Sequence, residues 1–502
     1  MRTDSITASM LYDFVRCPHR VTMDLFGNPA ERDPISPFVQ LLWERGHAFE
    51  EDVIKGLEVP FLNLRTVPER ERERRTMEAI AAGESLIYGG RIRADDLLGE
   101  PDLLRKESNG YVAGDIKSGA GLEGVSEDSD GKPKQHYAVQ LALYTDILER
   151  KGVSRGHVPF VWDIHGQEVA YHLDTARGPR KPTSMWEDYE SSLDKVRAIA
   201  SGESRTLPAL AGECKLCHWR TACLRRLEES NDLTLIPDLG RSRRDNLLAH
   251  IGSVRGLAGA DLSELIKGSK TVIPGVGTDM LRRFQVRAQL QTKPDGKPYL
   301  LMDVKLPHQK LELFFDIETD PMREICYLYG FLERRGGDIA TEKYVPFFAK
   351  EPSQEAEKDA FAKAWGYIRE MKSTTIYFYT KYERTILREL TRCHPDVATE
   401  DDIEELFVSE AAVDLYYDIV KPKMEWPTRD LSIKTLASFL GFKWRDTDPS
   451  GASSVEWYHK WVETGDPEIK RRIMDYNEDD CRAMRILADA IRGMVPQAWP
   501  IQ

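Results

Sequence analysis

The chain of 502 residues contains no apolar run approaching the roughly 20 residues that a membrane-crossing helix needs, and hydrophobic residues make up 41% of it. No membrane partner is expected. The opening Met1-Arg-Thr-Asp-Ser-Ile-Thr7 lacks an apolar signal core, which suggests a cytoplasmic protein. Positive charge is in deficit: 70 Lys and Arg stand against 83 Asp and Glu, a net charge of -13. Any hold on a polyanion must therefore come from cations gathered locally. No G-x-x-x-x-G-K-[ST] loop occurs, so a helicase, if one is needed, is a separate partner. Cysteine is sparse and uneven, seven in all, which argues against a disulfide framework.

What is present begins with a hairpin. Gly99-Glu-Pro-Asp102-Leu-Leu104 reads as one strand, Lys106 to Gly110 as a turn, and Tyr111-Val-Ala113 as the start of a return strand. Asp115 and Lys117, two apart in an extended chain, project from one face, and Asp102 can face them across the hairpin. Two carboxylates and an ammonium suit a divalent metal and a cation that steadies an attacking water, which is chemistry for cutting a phosphodiester. The same alternation is also what any half-exposed strand shows.

The flanks add Arg45-Gly-His47-Ala-Phe-Glu50 upstream. Downstream, Gln140 and Tyr144 lie one turn apart in a helical pattern from Tyr137 to Leu148. This order of His, Pro-Asp, Asp-x-Lys and Gln-x-x-x-Tyr resembles the PD-(D/E)XK nucleases of RecB-like type, including the CRISPR-associated adaptation nucleases. The resemblance implies that Asp102, Asp115 and His47 are metal ligands and that Lys117 is the catalytic lysine. Gln140 and Tyr144 would form the helical pair beside the site.

Cys214-x-x-Cys217-x5-Cys223 packs three thiols into ten residues, and Cys17 stands apart near the N-terminus. The spacing alone suits either a structural zinc, with Cys17 or His218 as fourth ligand, or a [4Fe-4S] cluster. A lone N-terminal cysteine with this later group is similar to the iron–sulfur RecB-like nucleases, and the resemblance assigns a [4Fe-4S] cluster to Cys17, Cys214, Cys217 and Cys223.

From Asn231 to about Arg287 short helical stretches are broken by glycine. Ile273-Pro-Gly275-Val-Gly277 precedes the helical Met280–Arg287, and Leu235-Ile-Pro-Asp-Leu-Gly240 precedes Arg241, Arg243 and Arg244. The first turn resembles a helix-hairpin-helix motif, which holds the DNA backbone at a helix start; a plain helical linker fits as well.

The last part has Asp316 and Glu318 on one face of an apolar strand starting at Leu311. Tyr476 and Asp480 lie four apart and share a helical face, in a segment that leads into a helix from Arg482 to Arg492. These resemble the first and last motifs of the DEDDy exonucleases on a ribonuclease H-like fold, whose carboxylates hold two metal ions. Tyr476 would position the water. Glu383, where that family usually has Asp, is read as the third carboxylate, with Asp414 as an alternative, and the helical Leu431–Gly441 tract as packing nearby.

The whole is expected to be a multidomain α/β chain. A restriction-endonuclease-like PD-(D/E)XK domain spans 1–230, a helix-hairpin-helix-like connector 231–290, and a ribonuclease H-like domain 291–502. It resembles the bacterial RecB-family nucleases that join two such domains. This implies a Mg2+- or Mn2+-dependent nuclease acting on single-stranded DNA or DNA ends in repair, recombination or defence, with RNA as the other substrate left open. The rival reading is a non-catalytic nucleic-acid-binding adaptor whose sites have decayed.

Overall fold

A computed structural model describes residues 5–497, apart from 109, 127–128, 179–181, 308, 372 and 448. The chain divides into two compact units, Met1–Arg225 and Arg226–Gln502.

The first unit is built on six strands: β1 (Leu62–Asn63), β2 (Leu86–Tyr88), β3 (Leu103–Glu107), β4 (Gly110–Ile116), β5 (Phe160–Trp162) and β6 (Glu168–Ala170). They lie side by side in the order β6-β5-β4-β3-β2-β1. The hairpin β3–β4 is antiparallel, with Leu103 opposite Gly114 and Glu107 opposite Gly110, and β5 runs parallel to β4. Pairing thus extends closer to the turn than the Lys106–Gly110 segment suggested; Asn109 lies outside the described residues.

Strand β4 also corrects the half-exposed reading, because every position in it is buried. The helices here are α1 (Ala8–Arg16), α2 (Pro18–Phe26), α3 (Pro37–Lys55), α4 (Gln135–Arg150), α5 (Met185–Ser201) and, running past the unit's end, α6 (Arg220–Ser230); α3 and α4 cover β4. Tyr111 and Ala113 join a core with Leu141 and Tyr144 of α4. Val112 and Ile116 join a second core with Ile54 of α3 and Phe160. A central strand with helices on both faces has no solvated side, so Asp115 is buried with its strand. Helix α4 is buried almost throughout from Ala138 to Leu148, as expected of a helix enclosed on all sides. Helix α5 begins in a capping box, Ser184 with Glu187, and ends at left-handed Gly202.

In the second unit, α7 (Gly240–Leu247) and α8 (Thr278–Thr292) precede the main sheet. Helix α7 touches the turn before α8: Arg243 Nε donates to the Gly275 carbonyl at 3.4 Å and Asn246 Nδ2 to that of Pro274 at 2.9 Å. The sheet comprises β7 (Leu311–Asp320), β8 (Ile325–Arg335), β9 (Asp338–Phe348), β10 (Thr374–Phe378) and β11 (Ala412–Asp414). Their order is β9-β8-β7-β10-β11, antiparallel across β9, β8 and β7 and parallel across β7, β10 and β11.

Around it lie α9 (Gln354–Glu370), α10 (Tyr382–Cys393), α11 (Ile433–Phe439), α12 (Gly451–Thr464) and α13 (Pro467–Gly493), with a short strand β12 (Met424–Glu425). One sheet face packs Leu313, Phe315 and Phe331 with Phe361 and Trp365 of α9. The other packs Phe314 and Leu332 with Met484, Leu487 and Ile491 of α13. Helix α13 starts well before Arg482, at Pro467 with Asp466 as its cap, so Tyr476 and Asp480 both sit inside it.

Candidate functional site

Two groups of charged residues stand out, one in each unit. In the first, Asp102 lies just before β3 and faces Asp115 of β4. The Asp102 backbone N–H reaches Asp115 Oδ1 at 3.4 Å, and the Ile116 N–H donates to Asp102 Oδ2 at 2.9 Å. Lys117 Nζ pairs with Asp115 Oδ2 at 2.8 Å. Burial, then the Asp115 charge, raises the Asp102 carboxyl from 3.8 to about 7, with Lys117 opposing. Burial pulls Lys117 down, but Asp115 and Asp102 outweigh it and hold the ammonium well above its ordinary value.

Helix α4 lies over this corner. The Tyr144 hydroxyl reaches the Glu100 carbonyl at 3.5 Å, and burial, then Asp115 and Asp102, push its pKa far up. Gln140, one turn earlier, keeps a buried Oε1 with no hydrogen-bond partner, an acceptor available to a ligand. His47 is not drawn in. Its side chain is 77% exposed and its nearest acid is Glu50, at 4.0 Å. A Cβ added to the adjacent Gly46 would lie 3.6 Å from Ser118 Oγ, so α3 passes the mouth of the site while the imidazole faces water.

The second group is tighter. Asp316 and Glu318 of β7 and Asp480 of α13 bring one carboxylate oxygen each to within 4.8 Å of one another. Among the described residues they are the only such set of three or more His, Cys, Asp or Glu. Burial, then Asp480, Glu318 and Glu383, pushes Asp316 far above 3.8; burial, then Asp480, raises Glu318 from 4.5 to about 8 against Ser454, Lys434 and Asn477. Burial likewise raises Asp480 against the pull of Lys434, Trp444 and Tyr476. Three carboxylates, Glu318 and Asp480 buried and Asp316 half-buried, that resist joint ionisation fit a hard divalent cation.

The surroundings hold each acid in place. Asn477 Nδ2 donates to Asp316 at 2.7 Å and Trp444 Nε1 to Asp480 at 2.7 Å. Lys434 of α11 donates to the Tyr476 hydroxyl and lies 3.6 Å from Asp480. Burial and the acids keep Tyr476 a neutral phenol. The β7–β8 ladder shifts register between Glu318 and Thr319, a local re-aiming typical beside active sites.

Glu383, at the start of α10, is buried with an unpartnered Oε2, and its charge reaches Asp316. It stands outside the set of three. Asp414 is otherwise engaged: its Oδ1 takes the N–H groups of Thr380, Tyr416 and Tyr417.

The four sequence-selected cysteines are spread over three places. Cys17 separates α1 from α2, Cys214 lies in a 3-10 turn that Cys217 ends, and Cys223 is in α6. Burial raises the Cys217 thiol, and both Cys17 and Cys214 act on it electrostatically. No three of these sulfurs lie mutually within single-ion range. His218, the other fourth-ligand candidate, places Nε2 on Asp24 at 2.8 Å.

Several residues at these sites went unread in the sequence. Glu50 takes the Tyr88 hydroxyl at 2.9 Å, and Arg65 joins Glu50 at 2.6 Å to Asp102 at 3.4 Å. Glu50 follows His47 by three positions on one helix face, and Asn477 adjoins Tyr476, so both had a local signal. Lys434 had only its place in the tract. Arg65 and Trp444 had none, because their contacts span 37 and 36 residues.

Comparison with family models gives two matches: residues 27–224 to the PD-(D/E)XK nuclease superfamily and residues 313–492 to the RNase_H superfamily. The first span holds Asp102, Asp115 and Lys117; the second holds Asp316, Glu318, Glu383 and Asp480. No curated protein matches the chain.

Proposed function

We propose, for a chain that joins a PD-(D/E)XK nuclease domain to a ribonuclease H-like domain, that it is a metal-dependent DNA nuclease with two catalytic centres, acting on single strands or ends. The observation that carries this reading is the convergence of Asp316, Glu318 and Asp480, brought together from a strand and a distant helix. Nuclease superfamilies of both kinds use divalent cations such as Mg2+ or Mn2+. A bound cation would supply charge to the phosphate and acidity to a water.

At the second site Asp316, Glu318 and Asp480 would hold that cation, with Glu383 closing the set from α10. Tyr476 stays protonated, so it acts by orienting the attacking water through its hydroxyl rather than as the base. Lys434 fixes that hydroxyl and offsets one of the carboxylate charges. At the first site Asp102 and Asp115 are the ligands and the Lys117 ammonium faces the developing phosphate charge. Glu50, linked to Asp102 through Arg65, steadies the ligand set, and His47 joins only by a side-chain rotation.

Cys17, Cys214, Cys217 and Cys223 would hold a [4Fe-4S] cluster with a structural role. The paired turns at Gly240 and Gly275 would hold the phosphodiester backbone in the helix-hairpin-helix manner. Asp115→Ala and Asp316→Ala, made separately and assayed on labelled single- and double-stranded DNA and RNA with Mg2+ and Mn2+, test the assignment. Each should abolish its own share of cleavage; if neither lowers cleavage, the reading is wrong.

A further inference from the structure

We propose that the sheet edge beside the second acidic site is a stacking platform for unpaired bases, formed by Tyr382 and Tyr417 with the ammonium groups of Lys381 and Lys421. It rests on the nuclease reading above and narrows its substrate to a single strand. Strands β7, β10 and β11 run parallel, so the segments that leave their C-terminal ends share one edge, where ligands of such sheets bind. Glu318 lies near the end of β7, residues 379–383 leave β10, and residues 415–421 leave β11.

Two large rings on this edge are open to water: Tyr382 is 47% and Tyr417 42% exposed. Lys381 Nζ lies 5.2 Å and Lys421 Nζ 5.3 Å from the Tyr417 ring centroid, and Lys421 also lies 5.7 Å from that of Tyr416. Among the described residues neither ammonium forms an ion pair with a carboxylate. Two like charges sharing one ring leave a position that a phosphate would relieve while a base takes the ring face. Of the exposed acids near this edge, Asp418 turns its Oδ2 back to the Asp414 N–H at 3.2 Å and Asp238 pairs with Arg287 at 3.0 Å.

The edge is also held in shape and tied to the acids. One Asp414 oxygen accepts from Thr380 at 3.2 Å and from Tyr416 and Tyr417 at 2.9 Å each, joining the two segments. Thr380 sits at a φ of +91° and residues 415–420 form a π-helix. Both are costly conformations that persist where surroundings enforce them and that concentrate at functional sites. The Tyr382 hydroxyl meets Thr319 Oγ1 at 2.6 Å, placing the ring next to Glu318 and Glu383. Bases stacked in a duplex have no free face, so this surface selects single strands without reading sequence.

The test uses the full chain with Asp115→Ala, so that cleavage reports the second site alone. An oligodeoxynucleotide carrying 5-iodouracil, irradiated on the protein, should crosslink to Tyr382 or Tyr417, as mapped by mass spectrometry, and a 5-iodouracil oligoribonucleotide tells whether the sugar matters. Tyr417→Ala should abolish the Tyr417 crosslink and raise KM for single-stranded DNA about tenfold with kcat kept, while Tyr417→Phe behaves as the parent. A preserved melting temperature shows that the variant is folded. Crosslinks confined to other segments, or a KM unchanged in Tyr417→Ala, would overturn the platform. Cleavage that survives Asp316→Ala while the crosslink persists would instead overturn the catalytic assignment.

Discussion

Gly330 shows how little space the second site leaves around its acids. It stands opposite Asp316 in the β7–β8 ladder, and a Cβ there would come within 1.6 Å of Asn477 Oδ1 and 2.9 Å of the Tyr344 hydroxyl oxygen. Tyr344 in turn donates to Asn477 Oδ1 at 2.8 Å. Gly330→Ala must therefore push Asn477 off Asp316. It should lower Asp316-dependent cleavage at least about tenfold and cost about 1–3 kcal/mol by overpacking, read by single-turnover kinetics and urea unfolding. Protons give a second prediction at this scale. Glu318 titrates at about 8 against an ordinary 4.5, and Asp102 at about 7 against 3.8. Both bind protons more tightly folded than unfolded, so their contribution to stability is complete below the ordinary values and is lost as pH rises through the folded ones. In EDTA the melting temperature should fall between about pH 5 and about pH 8. Glu318→Gln should flatten part of that slope, and Mg2+ should restore stability at the upper end by replacing the protons. A melting temperature that rises with pH in EDTA would contradict the assigned directions.

Helix α8 makes the case at the level of elements. The carboxylate of Glu425 in β12 is fully buried and takes Arg287 Nε at 2.6 Å together with Arg283. Arg287, itself 1% exposed, also donates to Asp238 at 3.0 Å. Arg287→Ala leaves Glu425 buried without its inner partner and should cost about 3–5 kcal/mol, seen as a lower urea midpoint for the second unit. Replacing both residues with Met should recover part of the loss. The residues between Asn231 and Arg287 read as a separate small segment because glycines interrupt them, but α8 is joined to β12 through a charge pair more than a hundred residues apart in sequence, which no local pattern announces. Helix α13 is the opposite case. Its start at Asp466-Pro467 carries an ordinary cap and N1 proline, yet the acidic run Asp475–Asp480 resembles a solvated turn when read without its packing partners.

For the whole molecule, the proposed function gives the two units separate chemistry, and the cluster proposed for the first gives a way to tell them apart. Anaerobically purified protein should be brown with about four irons per chain. Cys217→Ser should lose iron and colour and lower the melting of the first unit, while Asp316-dependent cleavage persists. Colourless protein with one zinc would refute the cluster. With a net charge of -13, a polyanionic substrate would be held by local cations, as the proposed Lys381 and Lys421 patch would supply, rather than by overall charge.

The sequence by itself determined which acids sit on strands and which share a helix face. Asp115 with Lys117, Asp316 with Glu318, and Tyr476 with Asp480 follow from periods of two and of about 3.6 residues, which are properties of neighbouring bonds. Only the tertiary structure decided what meets what: that Asp480 joins Asp316 and Glu318, that Lys434 holds Tyr476, that Glu50 approaches Asp102 while His47 faces water, and that Asp414 caps a turn instead of completing the acid set. Those outcomes depend on packing between elements far apart in the chain, where burial of apolar faces sets the positions and the charged groups follow.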